Sequence, residues 1–243
     1  MSDAYPITPP PTQDDLPWED NENMETEQHR LQMELLIETL QPHLRQREGG
    51  GYVGGNMFVY SSLEQIRRQD FKGPDVFVVL DVPAGQRKSW VVWEEAKTPD
   101  VIIELLSPST AEYDKGAKKQ IYQSRLKAGE YYWYDPFDPR DLAGFIMQGE
   151  HYVPLQADAR GDLHSQVLGL SLTRWQGVYR GAEAIWLRWK DADGRLLPTG
   201  EELAASAEWR AGEAERRADQ EHQRAERLAA RLRALGIDPE AED

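Results

Sequence analysis

The stretch Asp100-Val101-Ile102-Ile103-Glu104-Leu105-Leu106-Ser107-Pro108-Ser109-Thr110 decides the fold. Its apolar residues form a nearly continuous run of strand length, the pattern of a strand buried on both faces. Glu104 interrupts the run. A carboxylate in such a setting is costly to bury unless it is paired or binds a metal. The Ser-Pro-Ser turn leads into a helix, because Ser109 and Glu112 stand in capping-box spacing. The helix is expected to reach about Ala128, with Gly129 ending it, and residues 131–134 read as another buried strand. Strand, helix and strand in this order predict an α/β crossover unit.

Upstream, Leu31, Leu35, Leu36, Leu40 and Leu44 mark one face of a helix over residues 25–44, which the glycines at 49–51 stop. Residues 52–61 read as a strand, 74–80 as a second, and 90–93 as a short one at most. Beyond Leu142 the pattern changes to short strands separated by turns: LAGFIM, HYVPL, LGLSLTRW and IWLRW. This predicts a β-meander packed on the core, with Trp175, Trp186 and Trp189 filling its apolar side. The fold class is therefore α/β, a mixed sheet flanked by helices over residues 23–200. Residues 1–22, rich in Pro and Asp and without periodicity, are expected to be disordered.

The tail, residues 201–243, differs again. Ala204, Ala207, Ala211, Ala214, Ala218, Glu221, Ala225, Leu228, Leu232 and Leu235 alternate by three and four, a heptad seam filled mostly by Ala. The expectation is a helical coiled coil, pairing either with a second copy or with another protein. Small seam residues let helices approach closely but bury little area.

The 243 residues contain no cysteine, which excludes disulfides and thiolate zinc sites and fits a reducing compartment. The N-terminal sequence shows no basic and apolar secretory signal, and no run approaches the ~18 apolar residues of a membrane helix. A cytoplasmic protein without membrane attachment is the expectation. The net charge of −15 argues against tight binding of nucleic acid over the whole surface. Locally the sign reverses: Lys115, Lys118, Lys119, Arg125 and Lys127 fall between residues 115 and 129 without an acidic residue, and such a helix can hold a phosphate backbone.

Two carboxylates and a lysine carry the chemistry. Metal-dependent phosphodiester hydrolysis needs oxygen ligands for a hard cation and a cationic group beside them. Pro74-Asp75 opens one apolar strand and Glu104 lies within another. Asp114, Lys118 and Tyr122, spaced i, i+4 and i+8, share one face of the following helix. Lys118 can reach toward the carboxylates from there; Lys115 and Lys119 compete for that role, and spacing does not choose among them. Glu25 and His29 on the first helix are further candidates for the site. Gly49, Gly51 and Gly54 satisfy G-x-G-x-x-G, but they follow a helix and precede a strand, the reverse of a dinucleotide-binding turn. No G-K-[ST] and no G-x-S-x-G elbow is present around these positions.

The chain resembles the Uma-two family of restriction-endonuclease-like proteins, in the PD-(D/E)XK nuclease superfamily. The resemblance rests on Pro74-Asp75-Val76, on Glu104-Leu105-Leu106-Ser107-Pro108-Ser109-Thr110, on Asp114 with Lys118 and Tyr122, and on Glu130-Tyr131 followed by Asp135-Pro136. It implies a restriction-endonuclease-like core and an Mg²⁺- or Mn²⁺-dependent endonuclease acting on nucleic acid, with DNA expected, and the tail adds the expectation of a homodimer or a coiled-coil partner. Asp75 and Glu104 would be the metal ligands and Lys118 the lysine displaced from its strand, since the position two after Glu104 is Leu106. That missing lysine and the acidic charge favour a second reading, a nuclease fold serving as a non-catalytic adaptor through its tail.

Overall fold

A computed structural model describes residues 10–16, 26–68 and 73–235. Helix α1, Glu27–Gln46, begins at Thr26, whose hydroxyl accepts a hydrogen bond from the His29 N–H, and buries the five leucines singled out above. The chain turns through Gly49 and Gly50, both at positive φ, a conformation glycine adopts without steric cost. Strand β1, Gly51–Gly54, and strand β2, Val59–Tyr60, occupy the region expected to be one strand. Asn56, at φ 47°, separates them and donates its N–H to Pro74 O. Helix α2, Leu63–Arg68, strand β3, Val76–Leu80, strand β4, Trp90–Val91, and helix α3, Val92–Glu95, follow. Strand β5, Val101–Leu105, helix α4, residues 111–126, and strand β6, Glu130–Tyr134, form the crossover unit, with β5 and β6 parallel.

Two details of α4 differ from the expectation. The Ser109–Glu112 capping box does not form; Ser107 instead accepts the Thr110 N–H on its hydroxyl and the Ala111 N–H on its carbonyl. Lys127, at φ 51°, takes the left-handed position that ends the helix, while Gly129 serves close packing, since a Cβ there would sit 3.0 Å from Asp100 O.

Strands β7, Leu142–Gln148, and β8, His151–Pro154, extend the main sheet, whose order is β1-β3-β5-β6-β7-β8. Strands β9, Leu163–Ser165, β10, Leu170–Tyr179, and β11, Ala182–Lys190, build a separate antiparallel sheet. The meander is thus divided between two sheets. Every residue of β3 and β5 is buried, which accounts for their apolar runs. On one face of the main sheet lie α1 and the small sheet, joined in a core that includes Leu36, Leu40, Val76, Ile103, Leu187 and Trp189. On the other, Phe77, Ile102 and Tyr131 meet Tyr122 and Leu126 of α4. Trp186 and Trp189 are fully buried, but the unbroken register of β11 turns them to opposite faces, and Trp175 is only partly buried, so the three do not fill one apolar side. The Gln32 amide is also buried and pairs with both backbone groups of Leu187, at 2.8 and 2.9 Å, like a neighbouring strand.

The chain divides into two compact units, Met1–Leu197 and Pro198–Asp243. In the second, helix α5, Gly200–Ala234, starts at a full capping box between Thr199 and Glu202 and buries none of its residues. Part of the N-terminal segment expected to be disordered is ordered in the first unit: Leu16 is buried and the Trp93 indole donates to Pro11 O at 2.9 Å.

Glu130 is the best-satisfied buried carboxylate. It accepts from the Tyr132 and Ser165 hydroxyls and from the N–H groups of Gln166 and Val167, tying β9 to the main sheet. Its place in the shared motif is therefore structural. Glu130→Ala strands these four donors in a buried region and should cost about 3 kcal/mol, read as a lower urea midpoint; an unchanged midpoint would show that the donors find other partners.

Candidate active site

The site forms where β3 begins and β5 ends. Val76 lies opposite Ile103 in the antiparallel register, so one further step brings Asp75 opposite Glu104. The Asp75 N–H points to Glu104 Oε2 at 3.4 Å, and Asp75 Oδ2 accepts from the Leu105 N–H at 2.6 Å. Gly55 makes this placement possible: a Cβ there would lie 2.3 Å from Asp75 O. The strand alternation turns Glu104 toward α4, between Ile102 on its own face and the helix.

Helix α4 meets it with Asp114, Lys118 and Tyr122. On an ideal α-helix, residues four apart drift by about 40° per step. Two wider π-helical turns, Asp114–Lys118 and Tyr122–Leu126, counter that drift. Asp114, Tyr122 and Leu126 are accordingly all buried, and Lys118 between them has its side chain only 14% exposed. Such π turns are frequent at functional sites. Lys118 Nζ stands 2.8 Å from Glu104 Oε2 and 3.2 Å from Asp114 Oδ1. The Tyr122 hydroxyl donates to Glu104 Oε1 at 2.7 Å, and the Tyr131 hydroxyl donates to the Asp114 carbonyl.

Burial pushes the Glu104 carboxyl well above the ordinary carboxylate range, with Lys118 pulling it down and Asp75 and Asp114 pushing further up. For Lys118, burial opposes the charge, but Glu104, Asp75 and Asp114 more than offset it and hold the ammonium above the usual lysine range. Burial, then Glu104, keeps the Tyr122 phenol protonated, consistent with its donating to that carboxylate.

His29 also reaches the site. It is buried, and its Nε2 lies 3.0 Å from Leu105 O. A carbonyl only accepts, so Nε2 carries a proton, and Nδ1 lies 3.3 Å from the Thr26 hydroxyl. His29 thus holds the end of β5 rather than facing the carboxylates directly. Glu25 lies outside the described residues.

The three lysines of α4 separate cleanly. Lys115 pairs with Asp141, and Lys119 lies 3.3 Å from the centre of the Phe145 ring; Lys118 alone of them is paired with the buried carboxylates. Arg125 and Lys127 are exposed. Lys115 and Lys119 line an open groove of about 330 Å³ with Gly116, Gln120, Gln123, Ser124 and Tyr152, and that groove does not include Asp75 or Glu104. Sequence reasoning missed Gly55 and Thr26, which position Asp75 and His29. Thr26 carried a signal, a hydroxyl residue just ahead of an apolar-periodic helix.

The donor set suits a hard divalent cation. Asp75 and Glu104 present carboxylates from neighbouring strands, and Asp114 Oδ1 is buried without a hydrogen bond although it lies near Lys118. Among the described residues no group of three or more His, Cys, Asp or Glu is arranged to hold a metal ion. Two carboxylates match Mg²⁺, which keeps several waters and needs few protein ligands, better than they match Zn²⁺.

No curated protein matches the chain. A solved structure described as a "putative nuclease belonging to DUF820 from Anabaena variabilis ATCC 29413" is similar at 15% identity and a TM-score of 0.40, over 62% of this chain and 87% of that one. No helix among the described residues is long and apolar enough to cross a membrane. A family model matches residues 21–176, a span that contains Asp75, Glu104, Lys118 and Tyr122, and the chain belongs to that family, Uma2, described as "Putative restriction endonuclease".

Proposed function

We propose that the protein is a metal-dependent endonuclease that hydrolyses phosphodiester bonds of DNA, with Asp75, Glu104 and Lys118 as its catalytic group. The observation that carries this reading is the buried Glu104 carboxylate, shared between the Lys118 ammonium and the Tyr122 hydroxyl, with Asp75 beside it. Membership of the Uma2 family supports it. Asp75 and Glu104 would hold the ion, Mg²⁺ or Mn²⁺, which supplies the positive charge that activates water and offsets the charge of the phosphate. Lys118, kept protonated by three carboxylates, stabilises negative charge that develops on the phosphate. Tyr122 orients Glu104 by fixing Oε1. Lys115, Lys119, Arg125 and Lys127 form the basic side of α4 and would contact the backbone of the strand.

A second reading, a non-catalytic adaptor acting through its tail, is favoured by α5, which buries none of its residues. Deletion of residues 198–243 tests the tail's part in association. If the tail joins two copies, the truncated protein runs as a monomer and the full chain as a dimer. Equal protomer number in both forms removes tail-mediated self-association.

Asp75→Asn and Glu104→Gln should each lower metal-dependent cleavage of plasmid or single-stranded DNA by at least about 10²-fold while the far-ultraviolet spectrum stays native; cleavage surviving both changes would remove the mechanism. Lys118→Ala should lower kcat more than it raises KM, because its charge acts on the reacting phosphate. The raised Glu104 carboxyl also sets a pH dependence. At a pH low enough to protonate it, a cation must displace that proton, so Mg²⁺ affinity measured by calorimetry should weaken as pH falls, beginning above the ordinary glutamate range. A flat profile between neutral pH and pH 5 would exclude Glu104 as a ligand.

A further inference from the structure

The loop joining β6 to β7 carries an exposed aromatic ring in a rigid setting. Asp135 Oδ1 accepts the N–H groups of Phe137 and Asp138 at 2.8 and 3.1 Å. The Asp135 N–H donates to Asp141 O, and the Asp141 N–H to Asp138 O. From outside the loop, the Gln28 amide donates to Pro136 O at 2.7 Å and Arg174 to Pro139 O at 3.2 Å. Phe137, held by these contacts, is still 52% exposed.

Its position is informative. The loop leaves the sheet at the end where β5 and β6 finish and β3 begins, the end that carries Asp75 and Glu104. The Phe137 ring centre lies 5.7 Å from that of His29. His29 binds Leu105 O, and the Leu105 N–H binds Asp75 Oδ2. The exposed ring is therefore linked to a site carboxylate through three contacts.

Aromatic side chains beside a backbone-binding groove stack unpaired bases, and the contact tolerates any sequence because every base has a π-face. A ring whose loop is already ordered loses little freedom when it stacks. In an intact duplex the base faces are covered by their neighbours.

We propose that Phe137 is a stacking platform for an unpaired base of the DNA strand entering the Asp75–Glu104 site, so that the site takes single-stranded or frayed DNA in preference to intact duplex. This rests on the nuclease reading above and adds its substrate class. The test compares wild type, Phe137→Ala and Phe137→Trp, each as the full chain with Mg²⁺. The probes are an oligonucleotide carrying one 2-aminopurine, as a single strand and as a blunt duplex of the same sequence. Phe137→Ala should weaken single-strand binding about tenfold, abolish the quenching of 2-aminopurine and raise KM more than it lowers kcat; Phe137→Trp should restore all three. Duplex binding should be weaker than single-strand binding in wild type and indifferent to the substitution. If wild type cleaves DNA but Phe137→Ala binds and cuts the single strand equally well, or if wild type prefers the duplex, stacking is overturned and the nuclease reading stands. A folded wild type that binds and cuts neither form removes the nuclease reading and this substrate with it.

Discussion

A glutamate side chain with no exposure to solvent, in the middle of a fully buried strand, is the constraint around which this structure is arranged. Leaving a charge there alone would cost several kcal/mol. Glu104 is instead met by an ammonium and a phenol from one helix and by a backbone N–H from the neighbouring strand. Each of those groups requires something further. Lys118 must be brought down from a surface helix, Tyr122 must be buried to its hydroxyl, and Asp75 must start its strand one residue beyond the pairing of Val76 with Ile103. The site is therefore the reason the helix packs where it does as much as a product of it.

The π-helical turns of α4 show how the helix meets that demand. Side chains at every fourth position wind away from one another on a regular α-helix. Widening two turns lets an acid, a base, a phenol and a leucine follow one another down a single line. The charged members lie nearest the strand end and Leu126 lies deepest in the apolar core. Hydrogen-bond regularity is given up in the helix so that chemistry can be aligned on its buried side.

Much of this could be read from the residues. The apolar runs at 76–80 and 101–105 appear as buried strands, the crossover through α4 appears as expected, and the candidates Asp75, Glu104, Lys118 and Tyr122 come together. What could not be read depended on partners far away in sequence. The choice of Lys118 over Lys115 and Lys119 goes with Asp141 and Phe145, which engage the other two lysines. The division of the meander between two sheets follows from Glu130, whose oxygens hold β9 while β7 and β8 continue the main sheet. The expected capping box at Ser109 failed for a local reason, since Ser107 already occupies the Thr110 and Ala111 N–H groups. The burial of His29, a site candidate on the first helix, is explained only by the end of β5, whose Leu105 carbonyl it meets.

Gln32 carries a consequence for the order in which the chain can be completed. Its buried amide is satisfied by Leu187, 155 residues later, and Leu36 O receives the Trp189 indole, 153 residues later. Until β11 has left the ribosome, the inner face of α1 exposes both an unpaired amide and the apolar surface that Trp189 and Leu187 cover. Closure of the core must wait for nearly the whole first unit to be made, as is usual for folds dominated by distant contacts. The first helix to be synthesised is thus among the last elements to become fully native, and the nascent chain is most vulnerable to aggregation on the side that the final strand will seal.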